Sequence, residues 1–166
     1  MTDPTSRERA DILEVLAKHR GFLRQTVEGM SEEQIRVRST VSQLCLGAIV
    51  KHVAAVEAQW CSFMALGAEA FADSSPEKYA AEWRVEPTDT VDSLLAAYAE
   101  VAARTDAAVA QVDLDSDHPL PPAPWFEPGA SWSARRAALH IIAETSQHAG
   151  HADVVREAID GAKTMG

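Results

Sequence analysis

Glu144 and His148 stand four residues apart in the run Leu139-His140-Ile141-Ile142-Ala143-Glu144-Thr145-Ser146-Gln147-His148-Ala149-Gly150-His151. On a helix of 3.6 residues per turn, His140, Glu144, His148 and His151 share an arc of roughly 80°. Ala137, Ile141, Val155 and Ile159 lie on or beside that arc, while Arg135, Asp153, Arg156 and Glu157 fall on the far side, where exposure is expected. A carboxylate and several imidazoles thus occupy the stripe expected to face the core. Charges are tolerated there when they are paired or bind a metal. Such a conflict between local chemistry and hydrophobic pattern marks a candidate site.

A second unusual residue lies upstream. Wound as a helix, Cys45, Ile49, His52, Val53, Val56, Trp60 and Phe63 fall within roughly 100° of one another, so His52 sits beside an apolar stripe aimed at the same core. One histidine on an apolar face is most often a satisfied core residue, and one Glu-x3-His pair is a common helical pair. Both together on facing helices point to a metal. Imidazoles and a carboxylate suit zinc, nickel or iron, whereas magnesium and calcium prefer more oxygen. Two His and one Glu leave a fourth position for water or substrate, the character of a catalytic rather than a structural zinc site. His140 and His151 are expected as outer hydrogen-bonding partners of the ligands, and His140 could replace one of them. His19 and His118 have no comparable context and are expected at the surface. Cys45 lies two turns from His52, roughly 10 Å along the axis. Cys45 and Cys61 therefore read as small buried hydrophobes, and the Trp and Met residues as core.

The elements that position these residues follow from pattern and breakers. With 166 residues, 46% of them hydrophobic and 6% aromatic, the chain is expected to form one domain, 1–166, with a substantial Ala- and Leu-rich core. Four long helices are predicted: Ser6 to Gly29, Ser42 to Leu66 closed by Gly67, Thr90 to Val112, and Ser131 or Ser133 to Ile159 with Gly161 as the stop. Ser31-Glu32-Glu33-Gln34 reads as a capping box for one short turn. Residues 68–88 are mixed, with a short helix around Glu77 to Trp83. Pro119, Pro121, Pro122, Pro124 and Pro128 forbid regular helix in the loop 113–131. Trp125, Phe126 and Trp132 flank that loop, which is either a lid or a stiffened connection. No β-alternation of useful length is found. The fold class is all-α, an up-and-down four-helix bundle.

A formal charge of −10 argues against nucleic-acid phosphates and anionic membranes as partners, leaving a small molecule or a protein. The N-terminal residues have no signal-peptide core and no run is long enough for a membrane span. Two cysteines make no disulfide framework, so a cytoplasmic location is expected. A homodimer is expected to be possible, with no interface fixed by the sequence.

The segments Leu44-Cys45-Leu46-Gly47-Ala48-Ile49-Val50-Lys51-His52-Val53-Ala54-Ala55-Val56-Glu57 and 139–153, quoted above and continuing Ala152-Asp153, resemble the DinB-like (DinB/YfiT) family of metal-binding four-helix bundles. The resemblance covers almost the whole chain. It is nearer to the actinobacterial branch that includes the N-terminal domain of mycothiol-dependent maleylpyruvate isomerase. It implies zinc, or else nickel, on His52, Glu144 and His148. Many relatives have His at the position of Glu144, but the isomerase-like branch has Glu. Many also carry Gln where His151 stands, so the resemblance gives His151 no ligand role. The implied chemistry is thiol transfer, with the metal activating mycothiol or a similar thiol for attack on an electrophile, as in detoxification. The isomerase has a further C-terminal domain in its active site, so S-transfer is expected here rather than isomerisation. The alternatives are a non-catalytic metal- or ligand-binding protein and a metal-dependent hydrolase, since an open zinc site also activates water.

Overall fold

The structure, a computed structural model, describes residues 4–164. In chain order it contains α1 (Pro4–Gln25), α2 (Leu46–Leu66), α3 (Pro76–Glu82), α4 (Val91–Gln111), β1 (Asp117–Pro119), β2 (Ser131–Ser133) and α5 (Ala134–Asp160). The predicted capping box is present. Gln34 N–H donates to Ser31 Oγ at 3.2 Å and Ser31 N–H to Gln34 Oε1 at 2.9 Å, opening a 3-10 turn at Gln34–Arg36. Ser133 caps α5 by accepting from Arg136 N–H, and Gly161 ends it with φ +78°, a conformation that costs a residue with a Cβ more than it costs glycine. Helix α2 starts at Leu46 rather than Ser42. Ser42 and Thr40 instead accept backbone N–H bonds from Leu44 and Ser42, local bonds that compete with helix.

The expected four-helix bundle is formed by α1, α2, α4 and α5, and side-chain pairs give the helix directions. Glu8 pairs with Arg135, and Arg156 reaches the carbonyls of Thr26 and Glu28, so α1 and α5 run parallel. His52 lies against His148 and Trp60 against His140, so α2 runs antiparallel to α5. Arg9 donates to the Val109 carbonyl, placing the start of α1 at the end of α4. Lys51 pairs with Asp89, just ahead of α4, at 2.9 Å, so α2 and α4 begin at the same end. The order is therefore up, down, down, up, with α2 and α4 parallel, and not the up-and-down alternation expected from the sequence. Returning from the end of α2 to the start of α4 takes a crossover the length of the bundle, residues 67–90, and α3 lies in that crossover against α2.

The core has two apolar halves. One gathers Leu23, Ile35, Leu46, Ile49, Val53 and Val155, the other Leu16, Phe63, Met64, Val109, Ala137 and Ile141. The structure also contains a buried ion pair: Arg20 donates to both oxygens of Glu57, at 3.2 and 2.6 Å, and to Asp106 at 2.8 Å. Arg156, expected on an exposed face, has a side chain only 13% exposed. Its guanidinium satisfies carbonyls left over after α1 ends, which draws it inward.

The proline-rich loop is pinned by a structure not expected from the sequence. β1 and β2 pair antiparallel, with His118 opposite Trp132. Three-residue strands are too short for alternation to show. His118 is also not the surface residue expected. Gly67, at φ +59°, turns so tightly beneath it that a Cβ there would lie 3.0 Å from His118 Nδ1, and its ring meets Phe63 edge-on at 5.7 Å. His19 is half-buried against Phe22. No helix among the described residues is long and apolar enough to cross a membrane.

Candidate metal centre

The three expected ligands come together. One ligand atom from each of His52, Glu144 and His148 lies within 4.8 Å of the others. Helix α2 supplies His52 and α5 supplies the i,i+4 pair, with the antiparallel packing of the two helices setting their register. The stripe on α5 is not the core face itself. Ala138, Ile141, Thr145, Ala149 and Ala152 face the core, while His140, Glu144, His148 and His151 lie one step round the helix, half-buried. That flank borders a cavity of about 940 Å³ whose walls include His52, Glu144 and His140. Small-molecule sites span roughly 300–1,000 Å³, so the cluster is reachable by a substrate.

The donor set fits a divalent metal. His148 Nε2 and Glu144 Oε2 are 3.6 Å apart, too long for a hydrogen bond. That spacing is close to the roughly 3.4 Å expected between ligands each about 2.1 Å from a tetrahedral ion. His148 Nδ1, the other ring nitrogen, is buried with no hydrogen-bond partner among the described residues. Burial first, and then the neighbouring His148, push the His52 imidazole down to about 4. His52 is thus neutral near pH 7, the form that coordinates metals. His148 is the main influence holding the Glu144 carboxyl below its usual range, against the opposing effect of burial.

A support not anticipated from the sequence comes from α3. Glu82 Oε2 lies 3.3 Å from His52 Nδ1, and the Trp83 ring stacks on the imidazole at 3.7 Å with 19° between planes. Tyr79 meets the same ring edge-on at 6.1 Å. With His52 neutral, its Nδ1–H donates to Glu82 and Nε2 is left as the lone-pair donor. A carboxylate partner of this kind fixes the tautomer and orientation of a ligand histidine. Glu82→Ala is expected to weaken zinc binding roughly 10- to 100-fold, read by competition with a chromogenic chelator, with little change in helix content. Unchanged affinity would show that Glu82 has no such role. Ser75-Pro76 marks the start of α3, and Tyr79, Glu82 and Trp83 are spaced to share one face of it. The short helix expected around Glu77 to Trp83 is therefore present, and this shared face was the available signal for the site.

Of the two outer partners expected on α5, His140 stands with Nε2 3.6 Å from the other oxygen of Glu144, and its ring packs on Trp60 and Trp132 at 4.8 and 5.1 Å. It faces the cavity without a hydrogen bond to the carboxylate. His151, half-buried, is outside the converging group. Cys45 is buried at the N-cap of α2, and neither cysteine belongs to the cluster. Trp83 and Trp125 depart from the expectation that the tryptophans are core. The first covers His52, and the second is 77% exposed on the cavity wall.

The model of the family described as "Mycothiol-S-transferase" matches residues 11–161. A solved structure, "Crystal structure of the conserved protein of locus from Enterococcus faecalis", superposes with a TM-score of 0.62 at 15% identity, covering 91% of this chain and 96% of that one, and shows the same fold. No curated protein matches.

Proposed function

The chain belongs to the mycothiol-S-transferase family, a DinB-like family, and on that footing we propose that it joins the sulfur of mycothiol to electrophilic small molecules at a divalent metal held by His52, Glu144 and His148. The observation that carries the proposal is the convergence of these three ligand atoms within 4.8 Å beside a cavity of about 940 Å³. Zinc is the metal the donor set favours, with nickel second. When bound, the ion supplies a Lewis-acidic position that lowers the pKa of a thiol and favours its nucleophilic thiolate form.

The protein's own groups do the rest. Glu82 and Trp83 hold the His52 ring in one orientation. Glu144 places a negative charge beside the imidazoles and offsets part of the ion's charge. His140, whose pKa is lowered chiefly by burial, is neutral near pH 7 and faces the cavity. It is the base positioned to take the thiol proton and pass it to solvent. Trp60 and Trp132, stacked at 4.7 Å, keep water from one side of the site. Removal of reactive electrophiles, a detoxifying role, follows from this chemistry.

The test is consumption of mycothiol with a bimane electrophile. Protein stripped with a chelator is expected to lose turnover and to regain it when zinc is returned. Equal rates in the stripped and loaded protein would remove the metal from the mechanism.

A further inference from the structure

The residues lining the cavity beside the metal cluster are of two kinds, and Trp60, Phe71, Trp125 and Phe126 form a connected aromatic set. Trp60 meets Phe71 and Phe126 edge-on at 5.2 and 6.5 Å, and Phe126 meets Trp125 at 6.1 Å, so these rings form one continuous aromatic surface. Trp125 is 77% exposed at its outer edge, a large apolar ring left in water beside a cavity. Polar residues line it as well: Gln59, which donates to Ser74 at 2.7 Å, and Ser75 and Lys78, with Tyr79 beside them in the chain.

Charge around the cavity is uneven. Asp73, Glu82 and Glu144 are its carboxylates, and Lys78 is its single lysine or arginine. The Lys78 side chain is 63% exposed and stands 3.8 Å from Asp73, so it is partly neutralised and screened. A divalent ion would be balanced by Glu144 and an incoming thiolate. Asp73, 97% exposed, is screened as strongly as Lys78 and the two offset each other, so the better-buried Glu82 leaves the inner space negative. An anionic electrophile finds no buried cation to compensate for its desolvation. A flat uncharged ring finds partners for stacking.

Resting on the thiol-transfer reading above, we propose that the aromatic set is the electrophile subsite, that it selects neutral aryl electrophiles over anionic ones, and that Trp125 is a specificity-determining residue. The polar lining residues are then left for the uncharged, hydroxyl-rich body of the thiol. In the reaction with an aryl chloride, the thiolate sulfur forms a bond to the ring carbon. The carbon–chlorine bond breaks, chloride leaves with the electron pair, and the thiol proton passes to solvent.

The test uses the zinc-loaded protein with mycothiol and three electrophiles: chlorodinitrobenzene, its carboxylate analogue chlorodinitrobenzoate, and the small neutral iodoacetamide. After division by the uncatalysed rates, kcat/KM for chlorodinitrobenzene is expected to exceed that for the carboxylate analogue by at least about tenfold. Trp125→Ala is expected to lower the ratio of chlorodinitrobenzene to iodoacetamide kcat/KM by about tenfold, through KM more than kcat. Equal efficiency with the two aryl compounds overturns the proposal, as does a ratio unmoved in Trp125→Ala. Turnover of iodoacetamide accompanying either result leaves thiol transfer standing. No turnover with any of the three sinks the thiol-transfer reading and this proposal with it.

Discussion

Replacing His148 with alanine is expected to abolish metal retention and mycothiol turnover together. His148 is one of the three proposed ligands, and its ring packs against both His52, at a centroid distance of 5.0 Å, and Trp83, at 5.7 Å. Losing an outer-shell partner typically costs 10- to 100-fold in affinity or activity, and losing a direct ligand should cost more than that. The fall in turnover should therefore exceed about a hundredfold, with bound zinc reduced in parallel. The side chain is 15% exposed and stands at the flank of the core, so the truncated protein should still fold. Far-ultraviolet circular dichroism would confirm this. Retained turnover in a folded, metal-free His148→Ala protein would contradict the assigned role.

The second large effect is on stability and lies away from the cavity. Arg20→Met is expected to destabilise the protein by about 3–5 kcal/mol, the usual result of stripping one partner from a buried ion pair. Glu57 is 1% exposed, and Arg20 makes two of its hydrogen bonds to it. Without Arg20 that carboxylate stays buried with no counter-charge. For a chain of this length the loss corresponds to a fall in Tm of roughly 10 °C. The double variant Arg20→Met/Glu57→Met should recover most of the loss, because replacing both partners by apolar groups is often neutral. Asp106 is 48% exposed and tolerates losing its share of Arg20. A single-variant Tm within a degree or two of the parent, measured by scanning calorimetry, would show that the pair contributes little.

The parts of this structure legible in the sequence are those written in local spacing. Ser31-Gln34, Ser133 and Gly161 announce helix ends through bonds spanning three or four residues, and residue patterns of that length are visible in any sequence. Glu144 and His148 were legible for the same reason, one turn apart on one helix. His52 was legible as a polar residue beside an apolar stripe, but its approach to the pair depends on how α2 packs on α5, which no local pattern states. The apolar stripe beside His52 shows only that it is aimed at the same core as the pair. Glu82 and Trp83 escaped notice because their significance lies across 30 residues of chain, in a crossover whose path depends on α2 and α4 running parallel. Arg20 and Glu57, 37 residues apart, are the same case. Each looks like an ordinary helical surface charge until the helices are brought together. The ladder joining residues 117–119 to 131–133 was hidden by its length and by the prolines between its strands.

Metal binding by His52, Glu144 and His148 is tested by metal content, measured by plasma mass spectrometry on untagged protein, with His52→Ala and His148→Ala purified in parallel. A metal site on these residues requires about one zinc or nickel per parent chain, in line with three ligands around one ion, and loss of that metal in both variants. A parent protein that holds no divalent metal even after reconstitution, or variants that keep a full complement, would contradict it.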